Sequence, residues 1–225
     1  MKYKINQINK GYHYIRKFPV FITLILVTAF CIINFPVAAT IKTPHIASLQ
    51  QGKQLYETGR FTESVNILQQ VVTTYGNQGD ELRQAVALSN LALAYQKLGK
   101  LNQAQQAITQ SLNLIKNPKI VAPILDIQGS IQLDLGQTEQ ALKTWQSAES
   151  IYKQINNQSG IVSSRINQAQ AWQILGFYRR SLTTLTALQQ EVQAQPNSIT
   201  KALELRSLGD ALQLAGDLKQ SRQVL

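Results

Sequence analysis

Cysteine and histidine are nearly missing from this chain of 225 residues. It holds one cysteine, Cys31, and two histidines, His13 and His45. A lone cysteine excludes a disulfide framework and a cysteine-based zinc cluster. Two isolated histidines leave little for metal binding or acid–base chemistry. Charged residues make up only 15% and aromatics 7%. Lys plus Arg number 22 against 12 Asp plus Glu, a net charge of +10. Five of the basic residues (Lys2, Lys4, Lys10, Arg16 and Lys17) precede residue 18, with no acid among them. The other 17 basic residues face 12 acidic ones, an excess too mild to argue for a nucleic-acid partner. Motifs of catalysis are lacking too. Gly99-Lys100 has neither the upstream glycine nor the following Ser or Thr of a phosphate loop. No Gly-x-Ser-x-Gly elbow or His-Glu-x-x-His pair occurs. The paired acids Asp80-Glu81, and Asp210 with Asp217, read as helix-start and turn residues. The expectation is no catalytic residue, no metal and no cofactor. Hydrophobic residues, at 44%, are ordinary for a chain that folds.

One long apolar run is present, and it lies near the start. No charge interrupts residues 18–41. A basic stretch, an apolar stretch from Phe18 to Phe35, and then Pro36-Val37-Ala38-Ala39 form the three parts of an export signal. Val37 and Ala39 suit the small pockets of a signal peptidase, which places the cut after Ala39. The alternative is an uncleaved anchor. About 20 apolar residues span a bilayer, so residues 18–36 come near that length, although Asn34 and Pro36 weaken the far end. Either way the basic residues stay cytoplasmic and the rest is exported. The product is periplasmic or secreted after cleavage, or held in the inner membrane by an N-terminal helix. Residues 1–39 are thus expected as signal peptide or membrane anchor, and residues 40–225 as the folded part.

That folded part repeats itself. Leu55-Tyr-Glu-Thr-Gly-Arg-Phe61 is echoed by Tyr95-Gln-Lys-Leu-Gly-Lys-Leu101, Gln132-Leu-Asp-Leu-Gly-Gln-Thr138, Trp172-Gln-Ile-Leu-Gly-Phe-Tyr178 and Leu212-Gln-Leu-Ala-Gly-Asp-Leu218. The shared glycines are Gly59, Gly99, Gly136, Gly176 and Gly216, spaced by 40, 37, 40 and 40 residues. Seven before each stand Gly52, Ala92, Gly129, Ala169 and Gly209. Five after stand Ser64, Ala104, Ala141, Ser181 and Ser221. All ten are Gly, Ala or Ser. Two antiparallel helices joined by a short turn nest closely only where small side chains meet. The shared glycine marks the end of the first helix, where a left-handed residue is cheap. Large residues nine after the glycines (Leu68, Ile108, Trp145, Leu185, Leu225) fill the space around the small ones. Turn signals at residues 76–80, 117–118, 156–160 and 195–198 recur with the same period and separate the helix pairs.

This pattern resembles tetratricopeptide repeats, in the variety of about forty residues, from roughly Ile46 to Leu225. The resemblance implies an all-α, right-handed superhelical solenoid of helix–turn–helix repeats. Four repeats are complete, and a fifth stops within its second helix. Gln132 and Thr138 depart from the pattern, where a large apolar residue and an aromatic are usual, so the third repeat is expected to be looser or locally shifted. The phrases Gln50-Gln-Gly-Lys-Gln-Leu-Tyr56, Ala87-Leu-Ser-Asn-Leu-Ala-Leu-Ala-Tyr95, Arg165-Ile-Asn-Gln-Ala-Gln-Ala171 and Arg206-Ser-Leu-Gly-Asp210 resemble the arrays of exported cyanobacterial proteins that carry a caspase-like CHAT domain after their repeats. No CHAT domain lies within these residues, and the ending reads as that of a fragment or a truncated gene.

By the same resemblance, the first helices line a concave groove that takes a peptide or protein partner. Residues six before the glycines (Lys53, Leu93, Ser130, Gln170, Asp210) and three before (Tyr56, Gln96, Leu133, Gln173, Gln213) are expected to point into it. Nine before stand Asn90 and Asn167, whose carboxamides can both donate to and accept from a peptide backbone. The alternative is that they satisfy neighbouring helix groups. Lys53 and Arg206 are candidates to meet a carboxylate, although the groove is rich in amides and poor in charge. Tyr56 is the one groove aromatic, while Tyr95, Trp145, Trp172 and Tyr178 are expected in the core. Leu212, Leu218 and Leu225 are expected to be exposed by the last repeat and to permit stacking on a second copy. Two roles remain open: an extracytoplasmic binding scaffold, or the recognition arm of a CHAT-domain protease whose catalytic part lies elsewhere.

Overall fold

A computed structural model describes residues 44–224. They belong to one compact unit, Thr43–Leu225. The expected signal or anchor segment, residues 1–39, lies outside the described residues. Among the described residues no helix is long and apolar enough to cross a membrane.

The described residues form ten α-helices, which pair in sequence. The first pair is α1 (Pro44–Glu57) with α2 (Phe61–Asn77), and the second is α3 (Glu81–Lys97) with α4 (Leu101–Leu114). The third is α5 (Pro118–Asp134) with α6 (Thr138–Gln154), and the fourth is α7 (Gln158–Ile174) with α8 (Tyr178–Gln193). The fifth is α9 (Ile199–Leu214) with α10 (Leu218–Val224). His45 falls in the first turn of α1.

The turns within pairs are closed by the main chain. Gly59, Gly99, Gly136, Gly176 and Gly216 have φ of 78°, 68°, 75°, 82° and 82°. In that left-handed conformation the N–H after each glycine reaches back to the first helix. Arg60 N donates to Leu55 O at 2.8 Å, Lys100 N to Tyr95 O at 2.9 Å and Phe177 N to Trp172 O at 2.7 Å. Each glycine N–H also donates three residues back, as Gly59 does to Tyr56 O at 3.0 Å. This double closure is the Schellman arrangement. The turns between pairs use side chains as well. Asp80, Asn117, Asn157 and Ser198 cap α3, α5, α7 and α9, accepting from Arg83 N, Lys119 N, Gly160 N and Lys201 N, each at 3.0 Å. Asp217 Oδ1 likewise accepts from Gln220 N at 3.0 Å at the start of α10.

All ten small residues flanking the glycines are buried. At Gly52 and Gly129 a large side chain from the second helix occupies the gap. A Cβ on Gly52 would stand 2.7 Å from Leu68, and one on Gly129 would stand 2.5 Å from Trp145 Nε1. Leu68, Ile108, Trp145 and Leu185 are all at most 1% exposed. Ser64 Oγ donates to Gly52 O at 2.8 Å and Ser221 Oγ to Gly209 O at 3.0 Å, which ties the two helices together in the first and last pairs, whereas the buried Ser181 Oγ makes no such bond.

Three expectations need correction. The third pair is not loose: α5 and α6 are the most extensively packed neighbours. Thr138 is buried at the start of α6, and Gln132 Oε1 accepts from Thr144 Oγ1 at 2.8 Å, so a polar contact replaces the apolar one. Tyr178 is not in the core but 68% exposed, because it opens α8 on the solvent side. Leu212 is fully buried against α7 and α8 residues; Leu218 is exposed as expected, Leu225 lies outside the described residues, and Ile199, Leu203 and Leu214 are exposed as well among those described.

The contact between Gly129 and Trp145 generates a prediction. Alanine is the better helix former by about 1 kcal/mol, but overpacking a filled core costs about 1–3 kcal/mol. Here the indole is also held by its own hydrogen bond, Nε1–H to Asp126 O at 3.2 Å. Gly129→Ala is expected to destabilise the fold by about 1–2 kcal/mol. Urea denaturation checks this, and a midpoint at or above that of the parent chain contradicts the close approach.

Candidate functional site

Successive first helices touch one another: α1 meets α3, α3 meets α5, α5 meets α7 and α7 meets α9. The second helices show no comparable approach. The stack therefore curves towards the first helices, whose free faces form the inner surface.

None of the ten residues expected on that surface at the six-before and three-before positions is buried. Lys53, Tyr56, Leu93, Gln96 and Gln173 are half-buried, and Gln170 and Asp210 are exposed. Several are already engaged. The Tyr56 ring stands edge-on to Phe61 with centroids 5.5 Å apart, so it seals the α1–α2 turn. Gln96 Nε2 donates to Ser130 Oγ at 2.8 Å and to Asp134 Oδ2 at 2.6 Å, which ties α3 to α5 across the surface. Asn90 Nδ2 donates to Val86 O at 2.7 Å, within its own helix, as the alternative reading had it. Its counterpart Asn167 makes no side-chain hydrogen bond, and the buried Gln173 Nε2 has no partner. Neither Lys53 nor the exposed Arg206 makes an ion pair.

The facing sides of α7 and α9 open into a cleft of ≈ 290 Å³. Val162, Ile166 and Asn167 line it from α7, and Leu203, Glu204 and Ser207 line it from α9. Of the residues expected from sequence, this cleft gathers only Asn167. Glu204 was not foreseen, although the repeat register carries a signal. Twelve before the shared glycines, the other first helices have Ala47, Ala87, Ile124 and Ser164, so an acid there breaks the pattern. On the opposite side, a hollow of ≈ 440 Å³ between α2 and α4 is rimmed by Gln69, Gln103, Gln106 and Gln110 over Leu88 and Leu91.

A polar cluster lies deeper, where α5, α6 and α7 meet. Asp126 Oδ2 accepts from the Tyr152 hydroxyl at 2.8 Å, and Oδ1 accepts from Ser164 Oγ at 3.0 Å. Burial pushes the Asp126 carboxyl up to about 6, while the two hydrogen bonds pull the other way. The Tyr152 hydroxyl is raised too, by burial first and by the Asp126 charge second. Among the described residues no group of three His, Cys, Asp or Glu side chains could hold a metal ion. Ser164 is fully buried, and the cluster links α5, α6 and α7.

Residues 45–117 match the tetratricopeptide repeat family. No curated protein sequence matches the chain. Among solved structures, the nearly identical TPR-like repeats of a Podosopora anserina kinesin light chain share 16% identity, with 81% of this chain and 93% of that chain covered and a TM-score of 0.63. The apo form of RapI gives 12% identity, 80% and 67% coverage and a TM-score of 0.65. YrrB, described as a TPR protein with an unusual peptide-binding site, gives 12%, 83% and 86%, and a TM-score of 0.50. These likenesses show the fold: a tetratricopeptide-type helical solenoid.

The Asp126 cluster makes stability depend on pH with an unusual sign. Its folded value, about 6, lies above the ordinary 3.8. The folded state therefore binds the proton more tightly than the unfolded state. The stabilising contribution is complete below about pH 4 and is lost as pH rises through 6. The difference is on the order of 1–3 kcal/mol. Asp126→Asn is expected to flatten the pH dependence of the urea midpoint between pH 4 and 7, relative to the parent chain. An unchanged profile would remove Asp126 as its source.

Proposed function

We propose that this solenoid is a non-catalytic interaction scaffold whose inner surface receives an extended segment of a partner protein. The observation that carries the reading is the run of uncommitted polar groups on the first helices: Asn167, Gln170, the Gln173 amide and Arg206. Unsatisfied donors and acceptors on an ordered surface favour a ligand that offers a backbone or polar side chains in return. The likeness in fold to YrrB supports the same reading. The exposed Ile199, Leu203, Leu214 and Leu218 support self-association as an additional mode; a strictly monomeric chain in light scattering argues against it.

The location follows from residues 1–39, read as an export signal or anchor, and is extracytoplasmic. A reporter that is active only outside the cytoplasm, fused after residue 43, is expected to be active; an inactive fusion contradicts export. Sequencing the N-terminus of the purified protein separates cleavage, which yields Thr40 first, from retention. The second reading, the recognition arm of a CHAT-domain protease, is favoured by the four phrases that resemble such arrays. Caspase-like coding sequence beyond Leu225 in the gene supports it, and a genuine stop codon there removes it.

The binding role is tested by selection from a random peptide display library against the full chain. Enriched peptides are expected to lose roughly tenfold or more in affinity to the double variant Asn167→Ala, Gln170→Ala. The outer-face variant Gln106→Ala should leave binding within about twofold. No enrichment, or equal sensitivity to the two variants, rejects the reading.

A further inference from the structure

We propose that the cleft between α7 and α9 is a subsite for a basic side chain of the bound segment, with Glu204 as its counter-ion. The inference rests on the inner surface being a peptide groove and names the chemistry of one of its positions. Glu204 is only 8% exposed, and its Oε2 has no hydrogen-bond partner. A buried polar oxygen of this kind is ordinarily hydrogen-bonded, so the vacant position calls for a donor from outside the chain. Helix packing does not require it, since the equivalent positions hold Ala47, Ala87, Ile124 and Ser164.

None of the neighbouring cations pairs with Glu204. Lys201, one turn earlier on α9, gives its ammonium to Gln193 O and Gln195 O, both at 2.8 Å, and to Asn197 Oδ1 at 3.3 Å. It therefore closes off the end of α8 instead. Arg165 on α7 is paired with Glu191 at 2.9 Å. Arg206 lies two residues beyond Glu204, a spacing that sends it to another side of the helix.

The rest of the cleft suits a basic residue. Asn167 makes no side-chain hydrogen bond, so its carbonyl oxygen is open to a donor. Ser207 donates to Leu203 O at 3.0 Å, which leaves its hydroxyl oxygen able to accept. Val162, Ile166 and Leu203 supply apolar surface for an aliphatic stem. A lysine or arginine lays its stem along such a wall and places its charged N–H donors at the polar end. Charge-assisted hydrogen bonds of this kind are shorter and stronger than neutral ones.

Three fluorescein-labelled peptides test the idea. Each reads Ala-Ser-Ala-Xaa-Ala-Ser-Ala-amide, and they differ only in Xaa: lysine, norleucine or glutamate. Each is titrated with the full chain in a mild nonionic detergent and followed by anisotropy. The lysine peptide is expected to bind at least about tenfold more tightly than the norleucine peptide, and the glutamate peptide more weakly than either. Glu204→Gln should reduce lysine binding to the norleucine level and leave norleucine binding unchanged. Circular dichroism checks that this variant is folded, and Asn167→Ala should weaken the lysine peptide independently. Equal binding of the lysine and norleucine peptides overturns the proposal. So does unaltered lysine binding in Glu204→Gln, or no binding of the lysine peptide at all. Those outcomes leave the broader scaffold reading intact, because it falls only if the display selection yields no inner-face binder.

Discussion

The structure depends on how closely two antiparallel helices can approach beside a tight turn. A left-handed glycine closes the turn, and residues no larger than serine flank it on both sides. At Gly129 the second helix sends in Trp145 and at Gly52 it sends in Leu68, both fully buried in the space a Cβ would take. Once each hairpin is set, stacking follows, because one pair cannot bury both faces of its helices alone.

The same geometry creates the candidate surface. First helices lie near one another and second helices do not, so the inner face runs from pair to pair, while a hollow opens between α2 and α4 on the outer side. A continuous face suits a long, extended guest. Its polar groups divide into two kinds. Gln96, Ser130 and Asp134 stitch neighbouring pairs together and belong to the scaffold. Asn167, Gln173 and Glu204 retain unused bonding capacity, and they gather towards the C-terminal half of the array.

The helix pairs were legible in the sequence because period and turn chemistry are local. Five glycines and ten small residues sufficed to place the hairpins, and the polar caps at Asp80, Asn117, Asn157 and Ser198 stand where the turn signals lay. What failed was tertiary. Tyr178 looked like a core aromatic, but the first residue of a helix can face outward whatever its type. Thr138 and Gln132 looked like weak points, but Thr138 is buried and Gln132 accepts from Thr144 across the pair. For the surface, the repeat register supplied positions without their state. Asn90 and Asn167 share one position, yet one is bonded to its own helix and the other is not. Glu204 has no outward-facing signature in the register, because it sits at a position that other pairs bury as Ala87, Ile124 and Ser164.

The two kinds of turn have a consequence for how such an array diversifies. Joints inside a pair are held by main-chain atoms around one glycine, so nearly every other residue there is free to drift without opening the hairpin. Joints between pairs add an oxygen-bearing side-chain cap, in two cases on top of the same main-chain closure around Gly79 or Asn156, and they differ in length and identity from one to the next. Variation in pitch and curvature is thereby channelled to the seams, while the building block itself is conserved by its backbone.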